Sequence, residues 1–101
     1  MGLKLMVLDK NLNTGETNVN DDWELIMEKL FEEFMEVHAA IRNKDDLNLS
    51  EELMDLIQVT IRGLVLLQKD GMNIEEIFNR HNKKLIDRGW VERNIINITI
   101  K

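Results

Sequence analysis

From Leu49 to Lys69, the run LSEELMDLIQVTIRGLVLLQK carries Leu, Ile, Val or Met on nearly every side once residues are spread at about 100° per position. A helix of that kind has no wet face to spare, so it needs neighbours all round, and the rest of the chain must supply them. Nothing interrupts it, because the 101 residues contain no proline. It does not read as a membrane span: Asp55, Gln58 and Arg62 fall inside the apolar run Leu53 to Leu67, which is shorter than the roughly 20 residues a bilayer requires. With only five aromatic residues in the chain, the core must be built mainly from Leu, Ile, Val and Met. A chain of this length fills one such core, so a single domain over 1–101 is expected.

The neighbours can be read on either side of it. Trp23, Ile26, Met27, Leu30, Phe31, Phe34, Val37 and Ile41 recur at three-and-four spacing, which predicts a helix with one buried stripe ending near Arg42. Asp21 with Glu24 makes a capping-box pattern at its start. The polar segment Asn43 to Asn48 then turns the chain, with Asn48 or Ser50 as the next N-cap, and a helical hairpin results. Asp70-Gly71 ends the second helix. Asn73 with Glu76 opens a third, which runs to about Asp87 or Arg88 before Gly89. Residues 3–8 alternate loosely, and Ile96, Ile98 and Ile100 alternate with Asn97 and Thr99, so short strands are expected at about 3–8 and 95–100, able to pair with each other. Asp9 to Asn20 reads as a loop. The expected fold class is all-α: a helical hairpin plus a third helix, completing a four-helix-type core on oligomerisation, with short terminal β-strands.

Charge and composition remove several function classes. The formal net charge of −6 has the wrong sign for coating duplex nucleic acid. Without cysteine there is no disulfide, thiolate zinc site or cysteine nucleophile. The N-terminus lacks the length and small-residue cleavage site of a secretory signal, and a cytoplasmic location is expected.

The residues that carry chemistry are acidic. On the first helix, Glu33 and Glu36 stand one turn apart within Glu32-Glu33-Phe34-Met35-Glu36; on the second, Glu52-Leu53-Met54-Asp55 repeats the spacing. Each pair has an ordinary structural explanation by itself, a solvated face for the first and a helix-dipole partner for the second. Their combination favours a site, because the second pair interrupts an otherwise apolar helix. Four clustered carboxylates would repel unless a cation lay between them, and an all-oxygen donor set suits a hard ion such as Mg2+ or Mn2+. A di-iron bundle would need Glu-x-x-His pairs, but Met35 and Phe78 occupy the positions three before His38 and His81.

The two motifs and the fifteen residues between them resemble the MazG-like all-alpha nucleoside triphosphate pyrophosphohydrolases, whose pattern is Glu-Glu-x-x-Glu, a spacer, then Glu-x-x-Asp. The segment His81 to Trp90 is also similar to the end of that family's third helix, and the likeness covers about 22–91. The resemblance implies that Glu33, Glu36, Glu52 and Asp55 are magnesium ligands and that Glu32 positions water or a second ion, which makes Glu32 and Glu33 the candidate catalytic residues. It also implies a nucleoside triphosphate as substrate, cut to a nucleoside monophosphate and pyrophosphate.

Arg80, Lys84 and Arg88 recur every four residues along one face of the third helix, and Lys84 and Arg88 are the candidate phosphate ligands. The unmatched sides of the second helix imply a homodimer or homotetramer. Two rivals remain. A related phosphoribosyl-ATP pyrophosphohydrolase typically carries Tyr-His soon after its second acidic motif, where this chain has Leu56-Ile57. A non-catalytic helical dimer could instead use Met-rich faces to bind a protein partner.

Overall fold

A computed structural model describes residues 2–99. They form three helices, α1 (Trp23–Arg42), α2 (Asp46–Lys69) and α3 (Ile74–Asp87), in two compact units that divide between Gly71 and Met72. No helix among the described residues is long and apolar enough to cross a membrane.

In the first unit, α1 and α2 pack as an antiparallel hairpin. Both helices start one or more residues away from the positions the sequence suggests. Asp22, not Asp21, is the N-cap of α1, its Oδ1 accepting the Leu25 N–H at 2.8 Å. With the cap there, Leu25 takes the third helical position, and the Asp21–Glu24 capping box does not form. The helix α2 begins at Asp46 because Asp45 accepts from the Asn48 N–H at 3.1 Å, so neither Asn48 nor Ser50 is the cap. Ser50 is already helical and donates to the Leu47 carbonyl at 2.6 Å. The turn is therefore only Asn43 to Asp45. Its closure is a Schellman motif in which Asp45 N–H reaches the Ala40 carbonyl and Lys44 N–H the Ile41 carbonyl. Lys44 takes the left-handed position, at φ 55°, where glycine is usual.

The helices touch through Ile26, Val37 and Ala40 of α1 and Val59 and Gly63 of α2, all buried. Gly63 is buried in this contact: a Cβ there would lie 3.7 Å from Ile26 Cγ2 and 3.8 Å from a ring carbon of Trp23. Near the open end of the hairpin, Arg62 donates to both oxygens of Asp21, Nε at 2.9 Å and a terminal nitrogen at 2.6 Å. Both side chains are largely shielded from solvent, and the bond to Asp21 holds the Arg62 guanidinium further above its ordinary pKa.

The expected terminal strands are absent: no strand occurs among the described residues, and the fold is all-α. Residues 3–8 are exposed and make no ladder, and 95–99 are likewise without strand structure, while residue 100 lies outside the described residues. Alternation of side chains specifies two faces but not a backbone partner, and neither segment has one. What does form is a loop between residues 3–8 and α1. Asn11 N–H bonds the Glu16 carbonyl at 2.8 Å, and one isolated antiparallel bridge joins Lys10 to Thr17.

In the second unit, Asn73 caps α3 as expected, accepting from the Glu76 N–H at 3.1 Å. The helix ends at Arg88, and Gly89, at φ 88°, completes a second Schellman motif with Trp90 N–H on the Leu85 carbonyl.

Candidate metal centre

The short turn and antiparallel packing of the hairpin determine which side chains meet. One turn of α1 carries Glu33 and Glu36, and one turn of α2 carries Glu52 and Asp55. Each of the four offers a carboxylate oxygen such that all four atoms lie within 4.8 Å of one another. Glu33 and Glu52 are half-buried, whereas Glu36 and Asp55 are exposed and open the cluster to solvent.

Electrostatically the cluster is unbalanced. The Oε2 atoms of Glu33 and of Glu52 are buried without a hydrogen-bond partner. The group both can reach is the Glu36 carboxylate, and a bond between two carboxylates requires a proton on one of them. Accordingly the Glu33 carboxyl is raised from 4.5 to about 7, first by burial, then by sharing a proton with Glu36 and by repulsion from Glu36, Asp55 and Glu52. Glu52 is raised as well, chiefly through its bond to Glu36, with burial and neighbouring negative charge adding to it. Two orphaned, inward carboxylate oxygens in a four-carboxylate, all-oxygen set fit a divalent hard cation, which would satisfy both oxygens and remove the repulsion together.

The cluster itself consists of these four residues, and the others singled out in the sequence are placed as follows. Glu32 is exposed and bridges Lys29 at 3.5 Å. Lys84 lies in the last turn of α3 and Arg88 at its C-cap, both exposed, in the second unit. The Arg62–Asp21 pair has no sequence signature. Asp21 reads equally well as a cap, and a partner forty-one positions away is visible only once the hairpin is built.

A helical hairpin that converges two acidic pairs on one point defines a carboxylate-type, cation-ready helical protein. Within that class the assignment is specific: the MazG nucleotide pyrophosphohydrolase domain matches residues 22–90, and the chain belongs to that family of hydrolases, which act on phosphoanhydride bonds. The matched stretch holds both acidic motifs and all three helices. No curated protein and no solved structure matches the chain.

Proposed function

We propose that the protein is a magnesium-dependent nucleoside triphosphate pyrophosphohydrolase, converting an NTP or dNTP and water to the monophosphate and pyrophosphate. The observation that carries this reading is the pair of orphaned oxygens on Glu33 and Glu52 inside a cluster of four carboxylates, in a chain of the MazG family. Glu33, Glu36, Glu52 and Asp55 would hold the ion. Mg2+ is preferred, with Mn2+ as substitute, because the donors are all oxygen and the exposed side leaves room for water and phosphate. A bound magnesium ion would neutralise phosphate oxygens and lower the pKa of an attacking water.

The chain's own groups then have separate tasks. Glu33 and Glu52 fix the inner side of the site through their half-buried carboxylates, while Glu36 and Asp55 face the substrate side. Glu32, next to Glu33 and tied to Lys29 only by an exposed contact, orients the attacking water or a second ion. Lys84 and Arg88 offer positive charge to the phosphates. Water adds to the phosphorus at the α-β anhydride, the bond to the bridging oxygen breaks, and pyrophosphate leaves with no covalent intermediate.

A homodimer or homotetramer is part of the proposal. Met27, Phe31 and Phe34 are 65%, 67% and 58% exposed at i, i+4 and i+7 of α1, a stripe that a second copy would cover. Incubating the protein with a panel of nucleotides and Mg2+ tests the reaction, with pyrophosphate release from at least one nucleotide expected. No release from any of them would favour the non-catalytic reading.

A further inference from the structure

The four carboxylates create a mechanical problem for the metal-free hairpin. Glu33 and Glu36 on α1 face Glu52 and Asp55 on α2, so their repulsion acts to part the two helices at the place where the site must form. The apolar burial that opposes it, at Ile26, Val37 and Ala40 of α1 and Val59 and Gly63 of α2, is non-directional. Arg62 and Asp21 supply a contact of a different kind. Among the described residues this is the one ion pair that joins residues distant in sequence; the other two, Lys29–Glu32 and Lys83–Asp87, are local to a single helix. It is two-pronged, shielded and oriented, and Asp21 directly precedes the residue that caps α1. Arg62 stands seven positions after Asp55 on α2, two helical turns or about 10 Å along the axis. Asp55 and Arg62 therefore share one face of α2, and attraction at one point of the hairpin offsets repulsion at the other.

We propose that the Arg62–Asp21 pair preorganises the metal centre: it clamps α1 to α2 so that the four carboxylates stay converged before a cation arrives. Arg62 and Asp21 are positioning residues and touch neither ion nor substrate. Asp21 lies one residue before the stretch that matches the family, so half of the clamp stands outside that stretch. The inference rests on the metal reading given above.

The test is titration of the full chain with Mn2+ and with Mg2+ by calorimetry, beside circular dichroism, for the parent, Arg62→Gln, Asp21→Asn, the double variant and Arg62→Lys. Loss of a group hydrogen-bonded directly to a metal ligand costs about 10- to 100-fold in metal affinity; the clamp acts from two turns away, so a loss at the low end of that range, about tenfold, is expected for Arg62→Gln. The double variant should lose no more than the worse single one, because each change removes the same clamp. Arg62→Lys keeps the charge and should recover part of the affinity. Ile26→Val, which weakens packing without touching the pair, should leave affinity within about twofold, separating a clamp from general loosening. If Arg62→Gln does not fold, Asp21→Asn, nearly identical in size, carries the same expectation. Parent-like affinity in a folded Arg62→Gln or Asp21→Asn overturns the clamp alone. A parent that binds neither ion overturns the metal reading and the clamp with it.

Discussion

Glu33→Gln should make the metal-free protein more stable at pH 8 and the magnesium-loaded protein less stable than the parent. The sign follows from the direction of the shift. The Glu33 carboxyl is raised from 4.5 to about 7, so the folded state holds a proton that the unfolded chain has already released over that interval. Stability from this group is fully present below about pH 4.5, declines as pH rises, and is gone above about pH 7. Two and a half pH units correspond to at most about 3.4 kcal/mol. Glu33 is only half-buried, so solvent screening reduces this to about 1–2 kcal/mol. Gln has the size of Glu, never ionises, and can donate an amide N–H toward Glu36, so it removes the penalty without opening a cavity.

At about 4–8 °C per kcal/mol for a domain of this size, the metal-free variant should melt well above the parent at pH 8 and close to it near pH 4.5. Magnesium reverses the order. At a hundred times its dissociation constant a ligand stabilises by about 2.7 kcal/mol, a gain the parent receives and a variant lacking one anionic ligand largely forgoes. Thermal melts at both pH values, with chelator and with Mg2+, read all four quantities. A metal-free Glu33→Gln protein that melts at or below the parent at pH 8 would refute the repulsion argument, and an equal magnesium shift in both proteins would refute Glu33 as a ligand.

Four further outcomes are expected. Chelator should abolish turnover, with Mg2+ or Mn2+ restoring it and Ca2+ failing to, since Ca2+ prefers longer and more numerous oxygen contacts; undiminished hydrolysis in excess chelator would end the metal mechanism. Chromatography should show monophosphate and pyrophosphate as first products, and orthophosphate as the primary product would place the cut elsewhere. Asp55→Asn should fold and lose metal affinity and turnover together, whereas a magnesium melt shift equal to the parent's would leave Asp55 as a helix-dipole partner only. Gly63→Ala should raise the melting temperature, by roughly 0.5–1 kcal/mol of stability, because a Cβ meets Ile26 and Trp23 at ordinary contact distance and helix-interior glycine is entropically costly; a fall would mean the helices cannot yield there.

A pattern in the sequence fixes structure when it is local and carries its own partner. The three-and-four spacing from Trp23 to Ile41 contains its own hydrogen-bonding partner, since a helix bonds within itself, and α1 occupies Trp23–Arg42 as the spacing predicts. The alternation in residues 3–8 and 95–99 contains only half of a strand; the other half is a backbone elsewhere that no local pattern can guarantee, and none is present. Helix ends fall between these cases. Asp21 and Asp22 are adjacent and chemically equal as caps, and the choice was made at long range: Arg62 takes Asp21, which leaves Asp22 to hold the Leu25 N–H.

The same distinction governs the site. Glu33 with Glu36, and Glu52 with Asp55, are i, i+3 pairs whose convergence follows from helix geometry once the chain turns between them, and the four do come within 4.8 Å. Glu32 differs by a single step along α1, which rotates it by about 100° onto the exposed face beside Lys29. Adjacency in a motif is thus weaker spatial information than spacing. Invisible in the sequence was the electrical state of the cluster. Which oxygens are orphaned depends on burial, and burial depends on the width of the gap between the helices. The orphaned oxygens of Glu33 and Glu52 therefore become visible only once α1 and α2 are packed, and with them the push on both carboxyls toward the protonated form.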